Sequence, residues 1–112
     1  MSTKDDRNEV RLVGRLAAPP YARELPSGDA MTSFRVVVRR NDADRRRPTS
    51  PTVDALECAA WRGDVRRKLR SWGAGDLVEV SGSVRRRFWR SATGPASIWE
   101  IEVSAARRLA RA

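Results

Sequence analysis

Apolar and polar positions alternate at the start of the chain. Val10, Leu12, Gly14 and Leu16 share one parity and Arg11, Val13 and Arg15 the other. That period of two predicts a strand over about residues 8–16 with one better-buried face. Pro19 and Pro20 end it, Tyr21 to Leu25 reads as a short extended piece, and Leu25-Pro26-Ser27-Gly28 has Pro and Gly where a type I turn wants them. A second strand follows from Met31 to Arg40, with Phe34, Val36 and Val38 on one parity and Arg35, Val37 and Arg39 on the other. Residues 41–51, NDADRRRPTSP, hold two prolines and no periodicity and are expected to form a mobile loop. Val53 to Trp61 resumes as a strand. Trp61, Val65, Leu69 and Trp72 then recur at spacings of four, four and three, an apolar helical stripe that Gly73 and Gly75 stop. Leu77, Val78, Val80 and Val84, then Ile98, Ile101 and Val103, supply two further long strands across a turn at residues 91–95. Gly82 inside VEVSGSV fits either a bulge that bends a long strand or a plain hairpin glycine. Five strands with one helix between the third and fourth predict an all-β protein, a five-stranded OB-fold barrel.

Composition narrows what such a barrel does. A chain of 112 residues accommodates one domain, residues 1–112, whose ends at 1–7 and 110–112 are expected to be flexible. The formal charge of +9 and a pI near 11.4 favour anionic partners. Of the 23 basic side chains all but Lys4 and Lys68 are arginine, the cation that forks onto phosphate and lies flat on aromatic rings, although codon bias in a GC-rich genome accounts for the choice equally well. The single cysteine, Cys58, excludes an internal disulfide, reads as a small buried hydrophobe and fits a reducing compartment. With no histidine the usual triads, proton shuttles and His/Cys metal sites fall away, so no enzyme activity and no cofactor are expected. Asp42 and Asp44 are flanked by Arg40, Arg45, Arg46 and Arg47, which oppose a cation. No apolar run approaches a signal sequence or a membrane span of about 20 residues, so a cytoplasmic protein with neither membrane nor small-molecule partner is expected.

The stretch VRRRFWRSATG, residues 84–94, places four arginines around an aromatic pair. By alternation Trp89 shares a face with Arg85 and Arg87, as a base-stacking platform beside a phosphate track would. The competing role for Trp89 is packing on a neighbouring subunit. Phe88, on the other face, is expected in the core or at a subunit contact. Trp61 either stacks on a base or caps the core, and Tyr21, after two prolines, is a base contact or an ordinary turn residue. Trp72, Trp99 and Phe34 are expected to pack. Arg15, Arg35, Arg39 and Arg40 lie on or beside the first two strands, where charge often serves only solubility. Their sum with the hairpin arginines points to binding.

Five segments together resemble the bacterial single-stranded DNA-binding proteins: NEVRLVGRL, LPSGDAMTSFRVVVRR, LECAAWR, GDLVEVSGSVRRRFW and WEIEV, in that order from Asn8 to Leu109. The resemblance implies an OB barrel, homo-oligomerisation (a tetramer in that family, a dimer as the alternative) and the binding of single-stranded DNA with little sequence preference in replication, repair or recombination. It also implies base stacking at Trp89 and at Trp61, the aromatic before the helix. Ala55 stands where the third strand of that family carries an aromatic, and the loop after Arg40 offers Asn41 and Asp42 instead of one. The sequence stops at Ala112 without the flexible linker and acidic tail of many members, like a short paralogue. The reduced aromatic set leaves an alternative function: an OB-fold protein-interaction or primosome-like accessory module with incidental DNA affinity.

Overall fold

A computed structural model describes residues 5–112. The expectation of a flexible start therefore falls in part on residues 1–4, outside the described residues. Among the described residues six strands and one α-helix follow in chain order: β1 (Val10–Leu16), β2 (Tyr21–Glu24), β3 (Ala30–Arg39), β4 (Val53–Ala60), α1 (Gly63–Leu69), β5 (Leu77–Ser91) and β6 (Gly94–Ala110). The extra strand is the short piece at Tyr21, which only flanks β3 and is exposed throughout. The other five close on themselves. β1 pairs with β5 from Val10↔Gly82 to Arg15↔Leu77, β5 with β6, β6 in parallel with β4 at Cys58↔Ile101, β4 with β3, and β3 back with β1 at Leu16↔Val36. The predicted all-β class and OB-fold plan hold.

Two glycines let strands change partners. Just past Gly14, at Arg15, β1 is shared between β5 and β3 before it continues on β3 alone, and a Cβ at Gly14 would strike the Val37 carbonyl oxygen. At Gly82 the β5–β6 register slips by one, and a Cβ would strike the Glu102 carbonyl oxygen. Gly82 is thus the bulge rather than a hairpin turn. The hairpin glycine is Gly94, with φ +126°, in the left-handed half of the map that side chains avoid.

The core fills the ring from the predicted parities. Phe34, Val36, Val78, Val80 and Val103 are buried, and α1 packs on β6 and β3 with Val65 and Leu69 inward. Asp64 in the first turn and Arg66, Arg67 and Lys68 in the last complement the helix dipole. The helix ends at Leu69, before the predicted stripe does. A further turn, Trp72 N–H to Leu69 O at 3.1 Å, carries Trp72 into the core, where it meets Phe34 edge to face at 6.3 Å. Cys58 is buried as expected, and burial, with Glu57 and Glu100 nearby, pushes its thiol pKa up to about 12, so it is an inert thiol.

Two segments are more ordered in their bonding than their sequences suggest. Residues 41–51 make a 3-10 turn at Asp42–Asp44, and the Arg45 guanidinium donates to Pro48 O at 3.1 Å. At the other end, β6 runs to Ala110, and the Ala112 N–H donates to Asp76 Oδ1 at 2.9 Å. The loose end expected at 110–112 is tied to the ring because Asp76 gathers donors there.

Candidate nucleic-acid interface

β5 and β6 are far longer than the ring requires. Beyond Val84 and before Ile101 they pair only with each other, so residues 85–100 form a two-stranded arm. Alternation along the arm sorts its side chains onto two faces.

One face carries the predicted constellation. The Arg87 guanidinium lies over the Trp89 ring at 5.2 Å, and Trp89 keeps 42% of its surface exposed. Trp89 lines a cleft of about 740 Å³ between the arm and the β2–β3 turn, together with Arg87, Ile98, Pro26 and Arg23. Arg85, one step towards the ring, shares a second cleft with half-buried Trp61, Arg62, Ser83 and Ser104. Trp89, Arg87, Arg85 and Trp61 are thereby brought into one run along the outer surface. Trp61 is held from behind, its carbonyl accepting from Arg66 Nε at 3.2 Å.

The remaining predicted residues divide. Arg35 lies on the outer face of β3, directly opposite Glu57 on β4, and donates to it from Nε at 2.7 Å. Arg15 and Arg39 meet at the other end of β3, around a cleft with Val13, Val37 and Val53, and Arg15 donates to Gly75 O at 3.0 Å. Ala55 faces Val37 between them, so the centre of the β3–β4 surface has no aromatic. Arg40 falls on the core-side parity with Val38 and forks onto Asp54 at 2.9 and 2.7 Å, which depresses the Asp54 pKa. Its geometry is that of a brace across the β3–β4 end. Tyr21 is 68% exposed on β2, but its strand neighbour Arg23 is the residue that lines the Trp89 cleft. Sequence reasoning missed Arg23; its signal was parity with Tyr21 on a short strand ahead of a tight turn.

Carboxylates accompany the arginines, which sequence reasoning also missed. Arg85 Nε donates to Glu102 Oε2 at 2.9 Å, and Arg87 Nε to the buried Glu100 at 2.9 Å. With Arg35–Glu57, three outward arginines are already paired across strands. These pairs orient the guanidinium planes and lower the net positive potential of the face.

The opposite face of the arm departs from the core placement expected there. Phe88, expected in the core or at a subunit contact, and Trp99, expected to pack, are 68% and 61% exposed in the single chain. Their parity is that of Val84 and Ile101, but at these positions the arm has left the ring and no core of the same chain lies beneath it. Arg86 sits between them, its guanidinium 5.2 Å from the Phe88 ring and 5.3 Å from the Trp99 ring.

Comparison with known proteins places this geometry. Residues 7–109 match the model of the Single-strand binding protein family. The single-stranded DNA-binding protein of Caldanaerobacter subterraneus is 32% identical over 100 residues, covering 88% of this chain and 63% of that protein. That of Deinococcus radiodurans is 29% identical over 87 residues, covering 78% of this chain and 29% of that protein. This chain thus spans less than two thirds of the length of these relatives. Among solved structures, the Plasmodium falciparum SSB complex with ssDNA superposes with a TM-score of 0.73 at 22% identity, covering 100% of both chains, a likeness of fold. A family match across nearly the whole chain, over a strand ring of the same shape, establishes that the chain belongs to the single-strand binding protein family.

Proposed function

We propose that this chain binds single-stranded DNA without catalysis and with little sequence preference, serving DNA replication, repair or recombination. The observation that carries the reading is the run of Trp89, Arg87, Arg85 and Trp61 along one outer surface, two aromatic planes with guanidinium groups between them. Bases stack on the tryptophans, phosphates meet the arginines, and release of counterions from the strand supplies much of the affinity. Arg35, Arg39 and Arg15 extend the phosphate path over β3. The names of the relatives agree with this assignment.

The protein acts in the cytoplasm, needs no cofactor and associates with copies of itself, as a tetramer or a dimer. Light scattering with and without oligonucleotide tests the assembly.

A second reading, an accessory protein-interaction module, draws on the carboxylates that already neutralise Arg35, Arg85 and Arg87. Titration of tryptophan fluorescence with an unstructured oligonucleotide and with its matched duplex separates the two. Quenching and tight binding by the single strand, with clearly weaker duplex binding, is the expected result, because stacking requires exposed bases. Equal affinity for both forms at moderate salt, or no response to either, refutes the stacking mechanism. Incubation of a labelled strand with magnesium should leave it intact.

A further inference from the structure

We propose that the reverse face of the β5–β6 arm, built from Arg86, Phe88 and Trp99, is a second platform for single-stranded nucleic acid, so that the arm is gripped on both sides. This rests on the reading above and extends it to Arg86 and Trp99, which lie outside the Trp89 cleft, with Phe88 bordering that cleft as well. Arg86 and Trp99 are directly opposed in the ladder, and Phe88 is the next same-face residue of β5. The guanidinium lies against both rings and is fixed by two hydrogen bonds to Ser97 Oγ, from Nε at 3.2 Å and Nη2 at 3.1 Å. Both rings remain largely exposed.

Charge selects the occupant. On the front of the arm Arg85 and Arg87 each have a glutamate, whereas among the described residues no carboxylate pairs with Arg86. A second copy seated on this patch would bring another chain of net charge +9 against it, a repulsion that a polyanion does not meet. An uncharged apolar peptide would cover the rings and leave the guanidinium unpaired. A single strand supplies what is missing: a phosphate for Arg86 and planar bases for Phe88 and Trp99. Because Arg86 is uncompensated, its contact with phosphate releases counterions without first breaking an internal ion pair. A strand that leaves Trp89 can round the exposed edge of the arm and continue on the reverse face, which lengthens the footprint without a new domain.

The test compares the wild type with Trp99→Ala and Arg86→Gln, using oligothymidylates from a short one that spans a single face to a long one, with molecular mass measured by light scattering. Trp99 is exposed, so its truncation leaves the core intact. Trp99→Ala should weaken binding of the long oligonucleotide by about 5- to 100-fold, shrink the occluded site and leave binding of the short one unchanged. Arg86→Gln should reduce the slope of log affinity against log salt by about 0.7 on the long oligonucleotide. Both variants should keep the wild-type mass. Unchanged affinity and site size in both variants, or a loss of affinity that accompanies a fall in mass, overturns the proposal, the second result giving this face to another copy of the chain. Absence of binding by the wild type would instead strike the DNA-binding reading itself.

Discussion

Trp89 and Arg87 touch, yet they should act on different parts of the strand. Trp89→Ala is expected to cost about 1 to 3 kcal/mol of single-strand affinity while leaving the salt slope nearly unchanged, since stacking moves no counterions. Arg85→Ala combined with Arg87→Ala should flatten that slope by about 0.7 for each phosphate no longer neutralised. The carboxylates supply the converse experiment. Glu102→Gln frees Arg85 and Glu57→Gln frees Arg35, so each should tighten binding and steepen the slope by about 0.7. Titrations across a salt series read all of these; if the glutamine variants bind with the wild-type slope, the ion pairs already open without cost. The grouping of Trp89 with Arg85 and Arg87 on one face was legible because alternation alone puts them there. The glutamates were not: Glu100 lies 13 positions from Arg87 and Glu102 lies 17 from Arg85, and only the hairpin register joins them. A core placement of Phe88 and Trp99 misled for a related reason, since parity says which way a side chain points and not whether anything lies there to cover it.

At the level of the strands, the two crowded glycines govern how the ring closes. Gly82→Ala and Gly14→Ala each press a methyl group onto the carbonyl of a paired strand, which cannot rotate away. Each should lower the unfolding free energy by about 1 to 3 kcal/mol. Denaturant unfolding checks this, with Gly73→Ala as the control, since a Cβ at Gly73 meets nothing within 4 Å. Equal stability of all three variants would mean that the strands close without help from these positions. The bulge was half legible in VEVSGSV, whereas the need for Gly14 was not, because it depends on β1 exchanging one partner for another. Leu69 illustrates the readable part: the spacing of Trp61, Val65, Leu69 and Trp72 identified the stripe, and Val65, Leu69 and Trp72 are buried. Strand length was the hidden signal for the arm. Strands of 15 and 17 residues exceed the usual span of about 5 or 6 and must extend past the ring.

Over the whole molecule, the last turn of chain and the base of the ring are joined at one carboxylate. Asp76 accepts the Gly73 N–H at 2.8 Å and the Ala112 N–H at 2.9 Å and meets Arg108 at 3.4 Å, while Arg107 reaches Glu79 at 2.9 Å. Arg107 and Arg108 are therefore part of β6, and removing residues 107–112 should lower the melting temperature as well as trimming positive charge. The backbone donors from Gly73 and Ala112, followed by Arg108, hold the Asp76 pKa below its ordinary 3.8. A depressed folded pKa stabilises the fold at any pH above the unfolded value, and that contribution disappears as pH falls through the folded value. Asp76→Asn should thus reduce stability near neutral pH and make the acid branch of the stability profile shallower. Some slope should remain, because Arg40 and Arg62 likewise depress Asp54 and Asp64. Unfolding followed from neutral to strongly acidic pH decides the matter: if the variant loses stability with the same slope as wild type, the Asp76 carboxylate does not carry the acid sensitivity, and the end of β6 is held by strand pairing alone.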